Sequence, residues 1–114
     1  MLSVNSQVRI FVFSHSTDMR KSFHGLSGLV AQHFGDQLLS GHLFLFFNRR
    51  RDHLKILYFD KDGLAIWYKR LEAGTFQLPA SSEATLQIDQ TDLSLLLSGI
   101  DLTSAKRRKR YKAA

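Results

Sequence analysis

The sequence predicts an α+β fold built on an antiparallel sheet of about four or five strands. Residues 41–72 hold three runs rich in Phe, Leu, Ile, Tyr and Trp, separated by two turns; an amphipathic helical pattern precedes them, and a shorter strand and helix follow. The chain has 114 residues, nine of them Phe, which favours strands. We expect one domain over residues 1–104, with one helix packed on the sheet, a second C-terminal helix, and a basic disordered tail over residues 105–114.

The first strand and the first helix are predicted from hydrophobic periodicity. Residues 8–13 alternate in the manner of a strand, and residues 19–34 carry apolar side chains at three- and four-residue steps. Asp18 is expected to cap this helix through its carboxylate. Gly25 and Gly28 lie inside the helix, and we expect them to let its backbone approach the sheet closely.

Three further strands are predicted at residues 42–48, 53–60 and 64–71. Gly63 lies where the hairpin between the last two needs a positive φ, and the connection over residues 48–52 is entirely polar. The first of the three strands is apolar at consecutive positions. We therefore place it in the middle of the sheet, with an apolar layer on each face.

The chain after residue 72 is predicted to add a short edge strand at residues 76–78, another strand at residues 85–88, and the second helix. Asp89 is expected to begin that helix, with Asp92 as its partner in a capping box. The apolar face of the helix then consists of Leu93, Leu96, Leu97 and Ile100.

Positive charge is concentrated at the C-terminal end. The chain has 16 Lys and Arg against 10 Asp and Glu, for a formal net charge of +6. Six of these cations lie within residues 106–112, so the rest of the chain is neutral. A basic arm on a neutral body is typical of proteins that bind nucleic acid or an anionic membrane surface, and it also serves solubility alone. The tail cations are Lys106, Arg107, Arg108, Lys109, Arg110 and Lys112.

The residue patterns do not indicate catalysis. The chain has no Cys, which excludes disulfides, thiolate metal ligands and a thiolate nucleophile. Its five His lack metal-ligand spacing, and Asp60 and Asp62 are not followed by the rest of a calcium loop. There is also no glycine-rich phosphate loop and no nucleophile turn. We expect a protein that is not an enzyme and has no metal site and no cofactor; a nuclease using Asp60 and Asp62 is the least favoured alternative.

A cytoplasmic location is expected from three absences. No apolar run approaches the ~20 residues that a membrane span requires. The first residues lack the basic start and apolar stretch of a secretory signal. The lack of Cys suits a reducing compartment, and we expect no membrane partner.

Three groups of motifs in this chain are similar to those of one known family. The first is Thr17-Asp18-Met19-Arg20-Lys21-Ser22-Phe23 with Gly25-Leu26. The second is Gly41-His42-Leu43-Phe44, Phe46, Arg49-Arg50, Leu54-Lys55-Ile56-Leu57, Asp60, Asp62-Gly63 and Lys69-Arg70-Leu71-Glu72, and the third is Leu96-Leu97 with Gly99-Ile100-Asp101. Together they resemble the small TnpB-type accessory protein of the bacterial insertion-sequence family sixty-six, which is unrelated to the RNA-guided nuclease of the same name.

The resemblance implies a bacterial mobile-element protein that assists DNA transposition. In that family a separate, larger polypeptide carries the acidic catalytic triad, so the implied partners are the transposase and other proteins of the same element. The sequence departs from the family pattern at His24, where Asp is common, and at Phe59, where Trp is common. The first departure puts any role for an acid beside the motif in doubt, and the second exchanges one aromatic ring for another.

Two basic groups are the first candidates for a nucleic-acid contact. The tail cations can follow a phosphate backbone, although a solvated terminus has the same composition. Arg49, Arg50 and Arg51 form a turn whose guanidinium groups can grip phosphates, although a turn is also polar simply because it is exposed. Phosphate contacts position a protein on DNA without reading its sequence.

Two further groups of basic residues are candidates for a nucleic-acid contact. Arg20 and Lys21 follow the predicted Asp18 cap and are unfavourable at a helix N-terminus, so their partner is either a phosphate or an acid such as Asp60. Lys55 and Lys69 are expected on one sheet face. With Arg70 and the arginine turn they would form a basic stripe interleaved with aromatic side chains, namely Tyr58, Trp67 and Tyr68, although strand aromatics are more often core.

The sequence therefore favours a non-catalytic accessory factor that binds DNA through the tail and the arginine turn. The alternative is a protein-interaction adaptor that docks onto the transposase without touching DNA, through an exposed aromatic or leucine patch such as residues 93–97.

Overall fold

The computed structural model describes residues 5–99 and confirms the α+β class. Its elements are β1 (Ile10–Phe13), α1 (Phe23–Phe34), β2 (Leu43–Phe47), β3 (His53–Asp60), β4 (Gly63–Arg70), β5 (Thr85–Ile88) and α2 (Gln90–Ser98). The five strands form one sheet in the order β4-β3-β2-β1-β5. Ile100 and the basic tail, for which predictions were made from the sequence, lie outside the described residues.

The sheet is mixed, with one parallel pair at its centre. β1 and β2 run parallel, with Ile10 opposite Leu43 and Phe13 opposite Phe46, whereas the other neighbouring strands pair antiparallel. The expectation of a purely antiparallel sheet is wrong at this pair. The reason is that α1 lies between the two strands and returns the chain to the end at which β1 began.

β2 is buried at every position, as predicted for a central strand. Its two faces belong to two apolar layers, because successive side chains of a strand point to opposite sides. Phe44 and Phe46 pack with Leu26 and Val30 of α1. Leu43, Leu45 and Phe47 point to the other face. They pack with Ile10, Val12, Ile56, Leu93 and Leu96.

α2 closes the second face of the sheet. Leu93 and Leu96 are buried, and the predicted capping box is present: the Asp89 carboxylate accepts from the Asp92 N–H at 2.7 Å, and the Asp92 carboxylate accepts from the Asp89 N–H at 3.2 Å. Gly99 ends the helix in the left-handed conformation at φ 89°. Neither helix in the described part of the chain is long and apolar enough to cross a membrane.

Residues 76–78 do not form the predicted edge strand. Phe76 is buried instead, with its ring centroid 5.6 Å from that of Phe47. The Phe76 backbone N–H donates to the Arg51 carbonyl at 2.7 Å. Phe76 therefore extends the core and ties the chain to the turn that follows β2.

α1 begins at Phe23, four residues later than predicted. Ser22 is its N-cap residue and makes no side-chain capping bond. Asp18 is not the cap: its carboxylate accepts from the Arg20 N–H at 2.9 Å, and its carbonyl accepts from the Lys21 N–H at 3.0 Å. These bonds form a turn that competes with helix in this segment.

The two glycines of α1 do not bring the helix close to the sheet. A Cβ atom on Gly25 would lie 3.0 Å from Cγ of Lys21, whose stem lies over the helix backbone at that point. A Cβ atom on Gly28 would meet nothing within 4 Å, and Gly28 is exposed. The predicted close approach is therefore wrong at both positions.

We expect Gly28→Ala to raise the free energy of unfolding by about 1 kcal/mol, because glycine in a helix interior costs that much relative to alanine. Gly25→Ala is expected to gain clearly less, because the Lys21 stem must move. Urea denaturation of both variants measures the difference. Equal gains would contradict the packing of Lys21 on Gly25.

Candidate nucleic-acid interface

Strand direction brings four segments to one edge of the sheet. β1, β2 and β4 end at this edge, while β3 and β5 begin there. Backbone hydrogen bonds join the segments: the Thr17 N–H donates to the Phe47 carbonyl at 2.7 Å, and the Leu71 N–H donates to the Asp52 carbonyl at 2.7 Å. We call these segments, residues 14–22, 48–52, 69–76 and 79–84, the basic edge.

Charge is unevenly divided between the two ends of the described fold. Basic side chains predominate at the basic edge, where the charged residues are Asp18, Arg20, Lys21, Arg49, Arg50, Arg51, Asp52, Lys69, Arg70, Glu72 and Glu83. Acidic side chains predominate at the opposite edge, where the charged residues are Arg9, Asp36, Asp60, Lys61, Asp62, Asp89 and Asp92. The neutral body therefore has a positive end and a negative end.

The arginine turn has a defined shape that Asn48 holds. The Asn48 Oδ1 atom accepts from the backbone N–H groups of Asp52 and His53, each at 3.0 Å, and its Nδ2 donates to Asp52 Oδ1 at 2.6 Å. This last bond, with smaller contributions from His53 and Arg50, lowers the pKa of Asp52 against the opposing effect of burial. Arg51 adopts a left-handed φ of 57°.

The three arginines of the turn differ in their surroundings. Arg50 lies near an acid, with its Nε 3.9 Å from Asp52 Oδ2, and its side chain is 84% exposed. Arg49 is exposed and Arg51 is half-buried. Neither has a side-chain hydrogen bond or ion pair with any residue in the range 5–99. The turn therefore presents guanidinium groups that internal acids do not neutralise.

Arg20 pairs with Asp18 and not with Asp60, which lies at the opposite edge. The Arg20 Nη2 atom is 2.6 Å from Asp18 Oδ2, and both side chains are accessible to solvent. The Arg20 side chain, with its backbone N–H, lowers the pKa of Asp18 to about 2. Exposed pairs of this kind contribute little to stability, so Arg20 stays available for another anion.

Lys55 and Lys69 point to opposite faces of the sheet, so the predicted stripe is wrong. Lys55 pairs with Tyr68 across β3 and β4, whereas Lys69 pairs with Leu54. Trp67 therefore shares a face with Lys69, and Tyr68 shares the other face with Lys55. Arg70 is exposed and ion-paired with Glu72 at 2.9 Å.

Lys55 holds the loop before α1 in place. It is 8% exposed, and its Nζ donates to the carbonyls of Met19 at 2.7 Å and Lys21 at 2.8 Å. The Nζ atom also lies 4.8 Å from the centroid of the Tyr68 ring. The ammonium group is thus satisfied internally and positions the backbone that carries Arg20 and Lys21. The periodicity of β3 gave no signal for this role.

One further feature of the basic edge could not be predicted from the sequence. Thr17 is 5% exposed, and its Oγ1 is buried without a hydrogen-bond partner; the Oγ of Ser14 is likewise buried without a partner. Within residues 5–99, no group of three or more His, Asp or Glu side chains is arranged to hold a metal ion.

A family model that covers most of the chain defines its class, an accessory protein of an insertion sequence. Residues 8–107 match the family model described as IS66 Orf2 like protein, and the chain belongs to this family. The resemblance based on the sequence motifs is thereby confirmed. The family is one of accessory proteins and is not known as a catalytic family.

Two curated relatives come from Sinorhizobium fredii (strain NBRC 101917 / NGR234). The uncharacterized protein y4jC is 32% identical over 108 residues, which cover 95% of this chain and 92% of the relative. The uncharacterized protein y4hO is 36% identical over 101 residues, which cover 89% of this chain and 88% of the relative. No solved structure matches the chain.

We predict that Arg20→Ala raises the pKa of Asp18 from about 2 towards 3.8, because the Arg20 side chain is the largest cause of the lowered value. A carboxyl with a lowered pKa in the folded state stabilises the fold above its unfolded pKa, and the contribution is lost as the pH falls from 3.8 through about 2. NMR titration of the Asp18 carboxyl carbon in both proteins measures the change. Identical titration curves would contradict the pairing.

We predict that Lys55→Met lowers the free energy of unfolding by about 1–3 kcal/mol, because the carbonyls of Met19 and Lys21 lose a buried donor. Amide hydrogen exchange over residues 18–22 should become faster. The matched control is Lys69→Met, which removes a side chain without hydrogen bonds in the described range and should change stability by less than about 0.5 kcal/mol. Equal effects of the two variants would contradict a positioning role for Lys55.

Proposed function

We propose that this chain is a non-catalytic accessory factor of transposition that binds DNA through the basic edge and the tail. The observation that carries the proposal is the division of charge in a neutral body, with Arg49 and Arg51 at the positive end unpaired with any acid among residues 5–99. Membership of the IS66 Orf2-like family supports the transposition context. The transposase and other proteins of the same element are the proposed protein partners, and the proposed location is the cytoplasm.

The arginine turn suits contact with a phosphate backbone. A guanidinium group is always charged, and its planar fork donates two hydrogen bonds to a phosphate in a fixed geometry. The turn is braced by Asn48 and by the Phe76 N–H bond to the Arg51 carbonyl, so its arginines project from a shaped backbone. Arg20, Lys21 and Arg70 lie at the same edge and enlarge the surface that a strand can contact.

The tail adds a second group of cations to those of the basic edge. Its six basic residues, within residues 106–112, lie outside the described part of the structure. On duplex DNA, each phosphate that a cation neutralises adds about −0.9 to the slope of log affinity against log salt. Binding by the tail and the basic edge is therefore strongly dependent on salt and only weakly dependent on base sequence.

Filter binding of the full chain to duplex DNA at two salt concentrations tests the proposal. Deleting residues 106–114, or replacing Arg49 and Arg51 together by Gln, should weaken binding and flatten the salt slope by roughly 0.9 for each lost phosphate contact. The matched control is the double variant Arg9→Gln and Lys61→Gln, which removes cations from the opposite edge and should leave the slope almost unchanged.

Equal losses in the edge variant and the opposite-edge control would reduce the proposal to attraction by net charge. A full chain that binds neither element ends nor unrelated DNA, and is retained by the transposase after nuclease treatment, would instead favour the adaptor. The leucine patch expected for an adaptor is wrong in position, because Leu93 and Leu96 are buried at 4% and 0% exposure in the core. An adaptor would need another surface.

A further inference from the structure

A small cavity lies between the loop after β1 and the turn after β2. Its volume is about 150 Å³, and Phe47 forms its apolar wall. Because β1 and β2 are parallel neighbours, the loop after β1 and the turn after β2 leave the sheet side by side. The polar residues that line the cavity are Ser14, His15, Ser16, Asn48, Arg49 and Arg51.

The chemistry of this lining favours an anion. Arg49 and Arg51 both line the cavity, and neither has an ion-pair partner in the described range. The lining includes no carboxylate. The Asn48 side chain makes its hydrogen bonds within the turn, to Asp52 and His53, and these bonds fix its position in the cavity wall.

The loop after β1 contains two buried hydroxyl groups without hydrogen-bond partners, Ser14 Oγ and Thr17 Oγ1. Thr17 is not part of the cavity lining, and the Ser14 Oγ is closed off from solvent, so neither hydroxyl is accessible to a molecule in the cavity. The permanently charged residues of the lining are therefore Arg49 and Arg51.

The cavity has room for one tetrahedral anion, because its volume of about 150 Å³ is several times the ~30 Å³ that a water molecule takes in the liquid. The cavity walls are held by the Thr17 N–H bond to the Phe47 carbonyl and by the Phe76 N–H bond to the Arg51 carbonyl. The site is therefore preformed and does not require the turn to fold around its ligand.

We propose that this cavity binds a single phosphate group of a nucleic-acid strand. Arg49 and Arg51 donate to its oxygens. The assignment to a nucleic-acid strand rests on the proposed function, whereas the affinity for a phosphate group does not. The site converts a diffuse positive edge into one fixed point of attachment on the strand.

NMR titration of the full chain with inorganic phosphate, at constant ionic strength maintained with chloride, tests the site without DNA. Amide shifts should move at residues 14–16 and 48–51. Arg49→Gln should weaken phosphate binding about tenfold, because a charge-assisted hydrogen bond is lost. The matched control is Arg50→Gln, which removes the same charge from a residue outside the lining and should change affinity less than about twofold.

Equal weakening by Arg49→Gln and Arg50→Gln would overturn the site, because it would show attraction by the edge as a whole. Shift changes spread over the basic edge, or no change at millimolar phosphate, would overturn it as well. These outcomes leave the duplex-binding measurements untouched. Conversely, phosphate binding with no binding of duplex would remove the proposed function and leave the phosphate site standing.

Short single strands distinguish the source of the phosphate. A clear preference for a 5′-phosphorylated strand over the same strand with a 5′-hydroxyl, abolished by Arg49→Gln, would support the site with a terminal phosphate as its ligand. Equal binding of both strands, weakened by Arg49→Gln and not by Arg50→Gln, would support an internal phosphodiester. Strand binding that is indifferent to Arg49→Gln, in a protein that still binds inorganic phosphate, would overturn the assignment to a nucleic-acid strand.

Discussion

The parallel pairing of β1 with β2 is the constraint on which the rest of the structure depends. It follows from the helical crossover between them, and it directs the loop after β1 and the arginine turn after β2 to the same edge. With antiparallel pairing of these strands, Ser14 and Arg49 would lie at opposite ends of the sheet. The cavity and the basic edge are consequences of this connection as much as of the residues that line them.

A buried ammonium group connects the sheet to this edge. Lys55 lies in β3, yet it supplies hydrogen bonds to the loop that carries Arg20 and Lys21. Because α1 starts only at Phe23, the carbonyls of Met19 and Lys21 precede the helix, and they accept hydrogen bonds from Lys55. The late helix start and the buried lysine therefore explain each other, since the loop is shaped by a side chain from a distant strand and not by helical bonds.

The sequence predicts most elements of the fold, since hydrophobic periodicity is a local property. β3 and β5 match their predicted bounds, and the Asp89 capping box is present. Pairing is not local, so nothing in residues 8–13 showed that β1 runs parallel to β2. The faces of Lys55 and Lys69 follow from the tight hairpin, which pairs Asp60 with Gly63 and therefore Lys55 with Tyr68; the expectation that both lysines share a face did not follow from that register. The positive φ of this turn lies at Lys61 and not at Gly63, where it was expected. The cavity joins segments more than thirty residues apart, and only the Arg49–Arg51 turn among its components was visible beforehand.

The opposed charges of the two edges give the neutral body a permanent dipole moment. Beside a uniformly charged polyanion such a body experiences a torque before any contact forms, so collisions are aligned in advance. With the basic edge on DNA, as proposed, the carboxylates of the Asp60–Gly63 hairpin and of the α2 N-terminus would face away from the duplex. The side of the protein that faces away from the DNA would then be acidic. A second macromolecule that binds there would meet negative charge, opposite in sign to the basic edge.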